Sequence, residues 1–261
     1  MYGQTYSIPY HGLHMEINFL WIGDKLGKLE QLTLKSFLDN GHLPVVWLYD
    51  KDCAGIPEGT LERDANEIIP SSRIFSYEGR GDCRAGSYGG FSDLFRYYLL
   101  KAVGGWYCDM DVTCLQSFAA ISNSEYVIRP HNKVEIVGNI IKIPKNAPFL
   151  DDCIALTEKH IDKSNDRWVK PVEILRDCVK KHSLEQYIAP IDWFGNDNIE
   201  DIRQMLSIGV FCKKELQPTY ALHWCNEATS TGQWDYSIKR NFNKPIPTTL
   251  FYNLLKKHKL L

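Results

Sequence analysis

No run of apolar residues in this chain approaches the roughly 18 needed to cross a bilayer as a helix. The opening stretch, MYGQTYSIPYHGLH, lacks the basic and apolar regions of a secretory leader. Both absences lead to the expectation of a soluble, cytoplasmic protein. Charge of one sign is missing too. The 30 basic and 32 acidic residues leave a net charge of −2, which gives no support for nucleic acid as a partner. None of the eight cysteines sits in a C-x-x-C pair, so reduced and mostly buried thiols are expected rather than zinc or a disulfide framework. The P-loop lysine motif, G-x-G-x-x-G, G-x-S-x-G and H-E-x-x-H are all absent, and with them the usual signatures of several nucleotide-dependent and hydrolytic enzymes. There is no internal repeat and no low-complexity segment.

What is present fits one large α/β domain. The chain has 261 residues, 44% of them hydrophobic, enough for an ordinary core. EINFLWI at 16–22 has the composition of a buried strand. Residues 25–40 read as an amphipathic helix stopped by Gly41, and 44–49 as a second strand. This β-α-β opening implies a parallel, twisted sheet covered by helices. A helix is expected over 58–69 and a short third strand over 73–75. Strands are expected at 126–129 and 134–143, helices at 147–161 and 171–181, an extended piece at 188–194 and a last strand at 220–224. The tail holds a short basic amphipathic end, residues 254–259, which offers peripheral contact with an anionic membrane or simply a solvated helix.

The chain is organised around FSDLFRYYLLKAVGGWYCDMDVTC, residues 91–114. Helical spacing of Leu94, Phe95, Tyr98, Leu99 and Ala102 gives a helix, and Gly104-Gly105 stops it. Trp106 to Cys108 has strand composition, and Asp109 and Asp111 follow. In open α/β sheets ligands bind beyond the carboxyl ends of strands. Two carboxylates there suit a hard divalent cation with room for phosphate and water. Alternation along an extended chain would turn both aspartates the same way. Asp50-Lys51-Asp52 is an internal control, with an ammonium between its acids that would oppose a cation. Asp93 and Arg96 share a helix face. They read either as a surface ion pair or as groups that hold sugar hydroxyls and a phosphate or sugar oxygen.

These residues carry a resemblance. SDLFRYYLLKAVGGWYCDMDV resembles the core of the glycosyltransferases containing the DXD sugar-binding region, S-D-x-x-R-x-x-x-L-x-x-x-G-G-x-Y-x-D-x-D. Ser92, Asp93, Arg96, Leu100, Gly104, Gly105, Tyr107, Asp109 and Asp111 meet every fixed position. That group includes yeast-type mannosyltransferases, bacterial capsule and lipopolysaccharide transferases, and the glucosyltransferase domains of large clostridial toxins. INFLWIG at 17–23, VGNIIKIPKNAPFL at 137–150 and LHWCNEATSTGQWD at 222–235 are more weakly similar to the family's opening, middle and closing segments.

The resemblance implies an α/β fold of the GT-A type: a Rossmann-like, twisted, mostly parallel sheet flanked by helices, with a smaller C-terminal elaboration. It implies Mn²⁺ or Mg²⁺ and a nucleotide-sugar donor, UDP-sugar favoured over GDP-sugar. Trp21, with Ile22 and Gly23, would meet the base, although a Trp ending a strand is usually packed. Asp93 and Arg96 would hold the donor sugar, Tyr107 would line its pocket, and Asn139 would lie on its sugar side. Asp109 would contact ribose or sugar and reach the metal through water, and Asp111 would ligate it directly. His223 is either a third ligand, since imidazole suits Mn²⁺, or a core histidine beside Trp224. Trp234 would order as a lid or anchor its loop, and Ser230 is the nearest serine to it. The chain departs from the family at Lys170-Pro171, where Gly-Pro is common, and at Gln233, where Ser usually precedes Trp.

The expected activity is transfer of a sugar, with retention, to a hydroxyl of a glycan or lipid-linked glycan in surface polysaccharide synthesis. The lack of a membrane anchor speaks for a bacterial or viral enzyme over a Golgi-type one. The donor part would span roughly 14–145 and the acceptor or closing part 146–261 of a single domain. An inverting enzyme would need a base, for which Asp192 is the candidate. Alternatives are a toxin-like effector glycosylating a host protein and a nucleotide-sugar-binding protein without turnover. A sugar nucleotidyltransferase would want an early Gly-rich triphosphate loop, and residues 23–27 substitute poorly for one.

Overall fold

The computed structural model of the chain describes residues 14–194, 220–226 and 242–261. Four parallel strands form one side of its main sheet. They are β1 (Met15–Trp21), β2 (His42–Leu48), β3 (Leu61–Asp64) and β4 (Gly105–Cys108). β6 (Val127–His131) and β7 (Glu135–Ile143) complete it in the order β3-β2-β1-β4-β7-β6, with β7 antiparallel to both its neighbours. This is the expected Rossmann-like, mostly parallel α/β sheet. A two-stranded sheet pairs β5 (Val112–Cys114) with β8 (Ala221–His223) in antiparallel register.

Alternation along the strands builds a core on each face. Val45, Trp47, Tyr107 and Ile141 face one layer with helices α2 (Gly89–Val103), α3 (Phe149–His160) and α4 (Lys170–Lys181). Ile17, Phe19, Val46, Trp106 and Ile140 face the other, where Leu34 and Phe37 of α1 (Lys28–Asp39) pack. Asn18 would break this pattern, but its amide donates to Trp106 O at 3.0 Å and accepts from Trp47 Nε1 at 2.9 Å, which satisfies it inside the sheet. Gly104 ends α2 at φ +70°, and a Cβ there would sit 2.5 Å from Lys145 N, so both the turn and the close backbone approach require glycine.

Three expectations fail. Residues 58–69 contain β3 and a 3₁₀ turn, not a helix. β3 is a half-exposed edge strand whose Arg63 guanidinium lies 5.5 Å over the Trp47 ring, so its charged residues mimic a solvated helix. Residues 73–75 begin on the last residue of a 3₁₀ turn, Ser71–Arg73, and join no ladder. The stretch 188–194 likewise includes a 3₁₀ turn, Ile191–Trp193. Of the seven described cysteines all but Cys225 are buried, as expected.

Helix α5 (Leu250–Lys257) turns Leu250, Phe251, Leu254 and Leu255 into a cluster with Trp224, Phe242, Leu29 and Leu32. The apolar face that the tail would offer a membrane is thus buried in the protein. Among the described residues no helix is long and apolar enough to cross a membrane.

His42 starts β2 at 4% exposure, and its Nε2 accepts from Phe118 N at 2.9 Å. Burial, helped by the charge of His14, lowers its pKa to about 4. The unfolded chain therefore binds a proton more readily, so this histidine's contribution is intact above pH 6.5 and lost as pH falls toward 4. That loss is about 3 kcal/mol. Urea unfolding at several pH values should show a shallower acid slope for His42→Gln than for the natural chain, and equal slopes would contradict the assignment.

Candidate active site

Strand order locates the crevice. The chain runs outward from β1 through β2 to β3, then returns to place β4 on the other flank of β1. In such sheets the crevice opens at this reversal, past the carboxyl ends of the two strands. Trp21 ends β1 and Asp109 directly follows β4, so both stand at that edge.

Helix α2 supplies the first charges. Arg96 is 3% exposed, and its Nη1 donates to Asp93 Oδ1 at 2.5 Å while Nη2 donates to Asp109 Oδ1 at 2.9 Å. One planar fork thus holds two carboxylates from different elements. Its guanidinium lies 4.8 Å over the Tyr107 ring, whose hydroxyl meets Ser92 Oγ at 3.1 Å. Burial and the Asp109 charge push the Tyr107 phenol far up, so it stays neutral. Strand β7 passes with a glycine, because a Cβ on Gly138 would sit 2.4 Å from Arg96 Nη1.

Asp109 keeps 29% of its side chain exposed. Desolvation raises its pKa, the Arg96 cation opposes this, and the nearby Asp111 charge adds to it. Its amide donates to Asn139 O at 2.9 Å, and Asn139 Oδ1 accepts from Arg129 Nη1 at 2.8 Å. Arg129 is 1% exposed and also donates to Phe194 O at 3.1 Å. A lone arginine in the apolar run VIRP gave no periodic signal, so sequence reasoning missed this buried support.

Asp111 is held from the other side. The pairing of Val112 with His223 brings β8 alongside, and His223 Nε2 lies 3.3 Å from Asp111 Oδ2. Trp224 N donates to Asp111 O at 2.9 Å, and Asn226 N to Asp111 Oδ2 at 2.8 Å. Trp224, not His223, enters the core, where its Nε1 donates to Thr113 Oγ1 at 2.8 Å and its ring packs on Phe242 and Phe251. A further carboxyl, Glu30, was not foreseen. It is 8% exposed, and burial raises its pKa against the hydrogen bonds it receives at the start of α1, with the Asp111 charge adding a little.

Trp21 is partly buried against the apolar core, and its Nε1 has no hydrogen-bond partner among the described residues. Gly23 passes close to that nitrogen, since a Cβ would start 3.1 Å from it. An indole N–H desolvated without an acceptor is a donor suited to a ligand. Ile22 packs against the opposite layer. The control pair behaves as a turn: Asp50 Oδ1 accepts from Asp52 N at 2.9 Å in an exposed loop. Asp192 is exposed in its 3₁₀ turn. Ser230 and Trp234 lie outside the described residues.

The donor set suits a divalent cation. A carboxylate oxygen and an imidazole nitrogen 3.3 Å apart are two ligands of types that Mn²⁺ accepts. Among the described residues no group of three or more His, Cys, Asp or Glu is gathered to hold a metal. A cation here would complete its sphere with phosphate oxygens and water, as hard divalent ions do at phosphate-binding sites.

Residues 84–133 match the family model described as the glycosyltransferase sugar-binding region containing the DXD motif. Arg96, Tyr107 and both aspartates lie within the matched residues. No curated protein matches the sequence. Among solved structures, the chain is similar to the glycosyltransferase GlyE of Streptococcus pneumoniae TIGR4 (TM-score 0.48, 14% identity, 94% of this chain and 63% of that one). It is also similar to the galactosyltransferase LgtC in complex with donor and acceptor sugar analogues (TM-score 0.47, 11% identity, 95% and 96%). A third is the PaToxG glycosyltransferase (TM-score 0.47, 14% identity, 64% and 68%).

Proposed function

We propose that the chain is a metal-dependent glycosyltransferase of the GT-A type, moving a sugar with retention from a nucleotide-diphosphate sugar to a hydroxyl of a glycan or lipid-linked glycan. UDP-sugars are the favoured donors, and surface polysaccharide synthesis the favoured setting. One observation carries the reading: the Arg96 fork and the Asp111–His223 pair converge at the crevice beside β4. Residues 14–145 would form the donor part and 146–261 the acceptor or closing part.

Each group then has a task. Asp111 and His223 would hold Mn²⁺ or Mg²⁺, which when bound neutralises charge on the departing nucleotide diphosphate. Arg96 fixes the Asp93 and Asp109 carboxylates at one spacing. Those carboxylates would accept hydrogen bonds from donor hydroxyls, and a pre-set spacing removes the entropic cost of aligning them. Asn139, held by Arg129, would bound the sugar side. Trp21 would offer its ring and unpartnered N–H to the base.

Thermal unfolding with UDP, GDP and their sugar conjugates, each with and without Mn²⁺, tests this. A ligand at ~100 times its Kd adds about 2.7 kcal/mol, or roughly 5–10 °C in Tm for a chain of this size. A manganese-dependent shift with uridine nucleotides, together with turnover, is the expected result. A shift without turnover under any acceptor would favour a nucleotide-sugar-binding protein, and no shift with any nucleotide would overturn the reading.

A further inference from the structure

The turn that closes over Asp111 contains a conformational outlier. Cys225 has φ +50°, a left-handed backbone that costs any residue with a Cβ and that Gly or Asn adopts more cheaply. The turn itself is explained by its backbone, since Trp224 N and Asn226 N on either side both donate to Asp111. The backbone does not explain why a cysteine stands there. Its side chain does, because Cys225 Sγ lies 3.4 Å from His223 Nδ1, on the ring edge opposite the Nε2 that faces Asp111. It also differs from the other described cysteines, which are all buried.

We propose that Cys225 is a positioning residue, whose thiol fixes the ring plane of His223 so that Nε2 is presented beside Asp111. This rests on the reading of His223 as a cation ligand. A histidine that ligates through one nitrogen is oriented by a partner on the other, and loss of that partner commonly weakens metal binding 10–100-fold. A ring that ligates through Nε2 carries its proton on Nδ1 and donates it to the sulfur, so the thiol as acceptor favours that one tautomer. A buried aliphatic side chain at this position could pack but could not orient the ring.

The test uses the full chain and Mn²⁺ alone, with free ion read from its electron paramagnetic resonance signal. Cys225→Ala is expected to weaken Mn²⁺ binding about 10-fold, while Cys225→Ser retains it, because serine keeps both hydrogen-bonding roles and the same backbone cost. Cys225→Gly relieves the backbone and should melt above Cys225→Ala, yet bind Mn²⁺ as poorly. Long-range ¹H–¹⁵N correlations of His223 should show one tautomer in the natural chain and in Cys225→Ser, and a mixture in Cys225→Ala. A role confined to folding would move melting temperatures and leave affinity and tautomer unchanged. His223→Ala separates the two levels. If it weakens Mn²⁺ binding and Cys225→Ala does not, the assignment of Cys225 falls alone. If it has no effect, or the natural chain binds no Mn²⁺, the ligand reading of His223 falls and this inference with it.

Discussion

Replacing Arg96 with methionine is expected to destabilise the chain by roughly 3–5 kcal/mol, the usual cost of removing one partner from a buried ion pair. For a chain of this length that is a fall of roughly 6–20 °C in Tm. The guanidinium stands at 3% exposure and bridges Asp93 and Asp109, so methionine fills the volume while leaving two carboxylates without their cation. Arg96→Lys should recover little, since an ammonium cannot span two acceptors as a planar fork does. The loss should also depend on pH. Desolvation already raises the pKa of Asp109, and removing Arg96 raises it further. A folded-state pKa above the unfolded value makes stability fall as pH rises through it. The methionine variant should therefore lose least near pH 4, the ordinary carboxylate range, and most near pH 8. Calorimetry of the natural and variant chains at both values decides this. Equal losses, or a loss below about 1 kcal/mol, would mean the pair behaves as a surface contact.

Asp111→Asn is expected to abolish manganese-dependent donor binding and to lower kcat by about 10³-fold or more, the scale of losing one charged group from a site that stabilises developing charge. The fold should survive. Asparagine keeps an oxygen for Asn226 N, and the bond from Trp224 N goes to the Asp111 main chain. The informative comparison is thus activity against stability. A variant with natural Tm and no Mn²⁺-dependent nucleotide shift supports direct ligation by Asp111. One with natural Tm and near-natural turnover would remove Asp111 from the site.

The centre of the site was legible because its signals are local. Helix spacing, a glycine pair, a four-residue strand and two aspartates lie within residues 91–114, and α2, β4 and the turn after it follow that reading closely. The first strand, helix and second strand were legible for the same reason. β3 was not, because a four-residue edge strand with one apolar residue followed by three charged ones has no period of two to detect. Arg129, Gly138 and Glu30 escaped for a different reason. Each matters only through a neighbour far along the chain, such as Gly138 through the guanidinium of Arg96. Cys225 was counted among inert thiols, and only its φ and its distance to His223 set it apart.

The wall around Asp111 has a consequence for how the chain is made. Asn18 and Trp106 are 88 positions apart, so the middle of the sheet cannot be sealed until β4 has left the ribosome. Asp111 must then wait for Asn226, another 115 positions on. At the usual elongation rates that interval lasts roughly 6–23 s. Throughout it β5 has no strand partner, and the acidic turn stands without the segment that later encloses it. Translation speed over the codons for residues 112–226 therefore sets how long a half-built, negatively charged cleft is on offer to chaperones and stray cations.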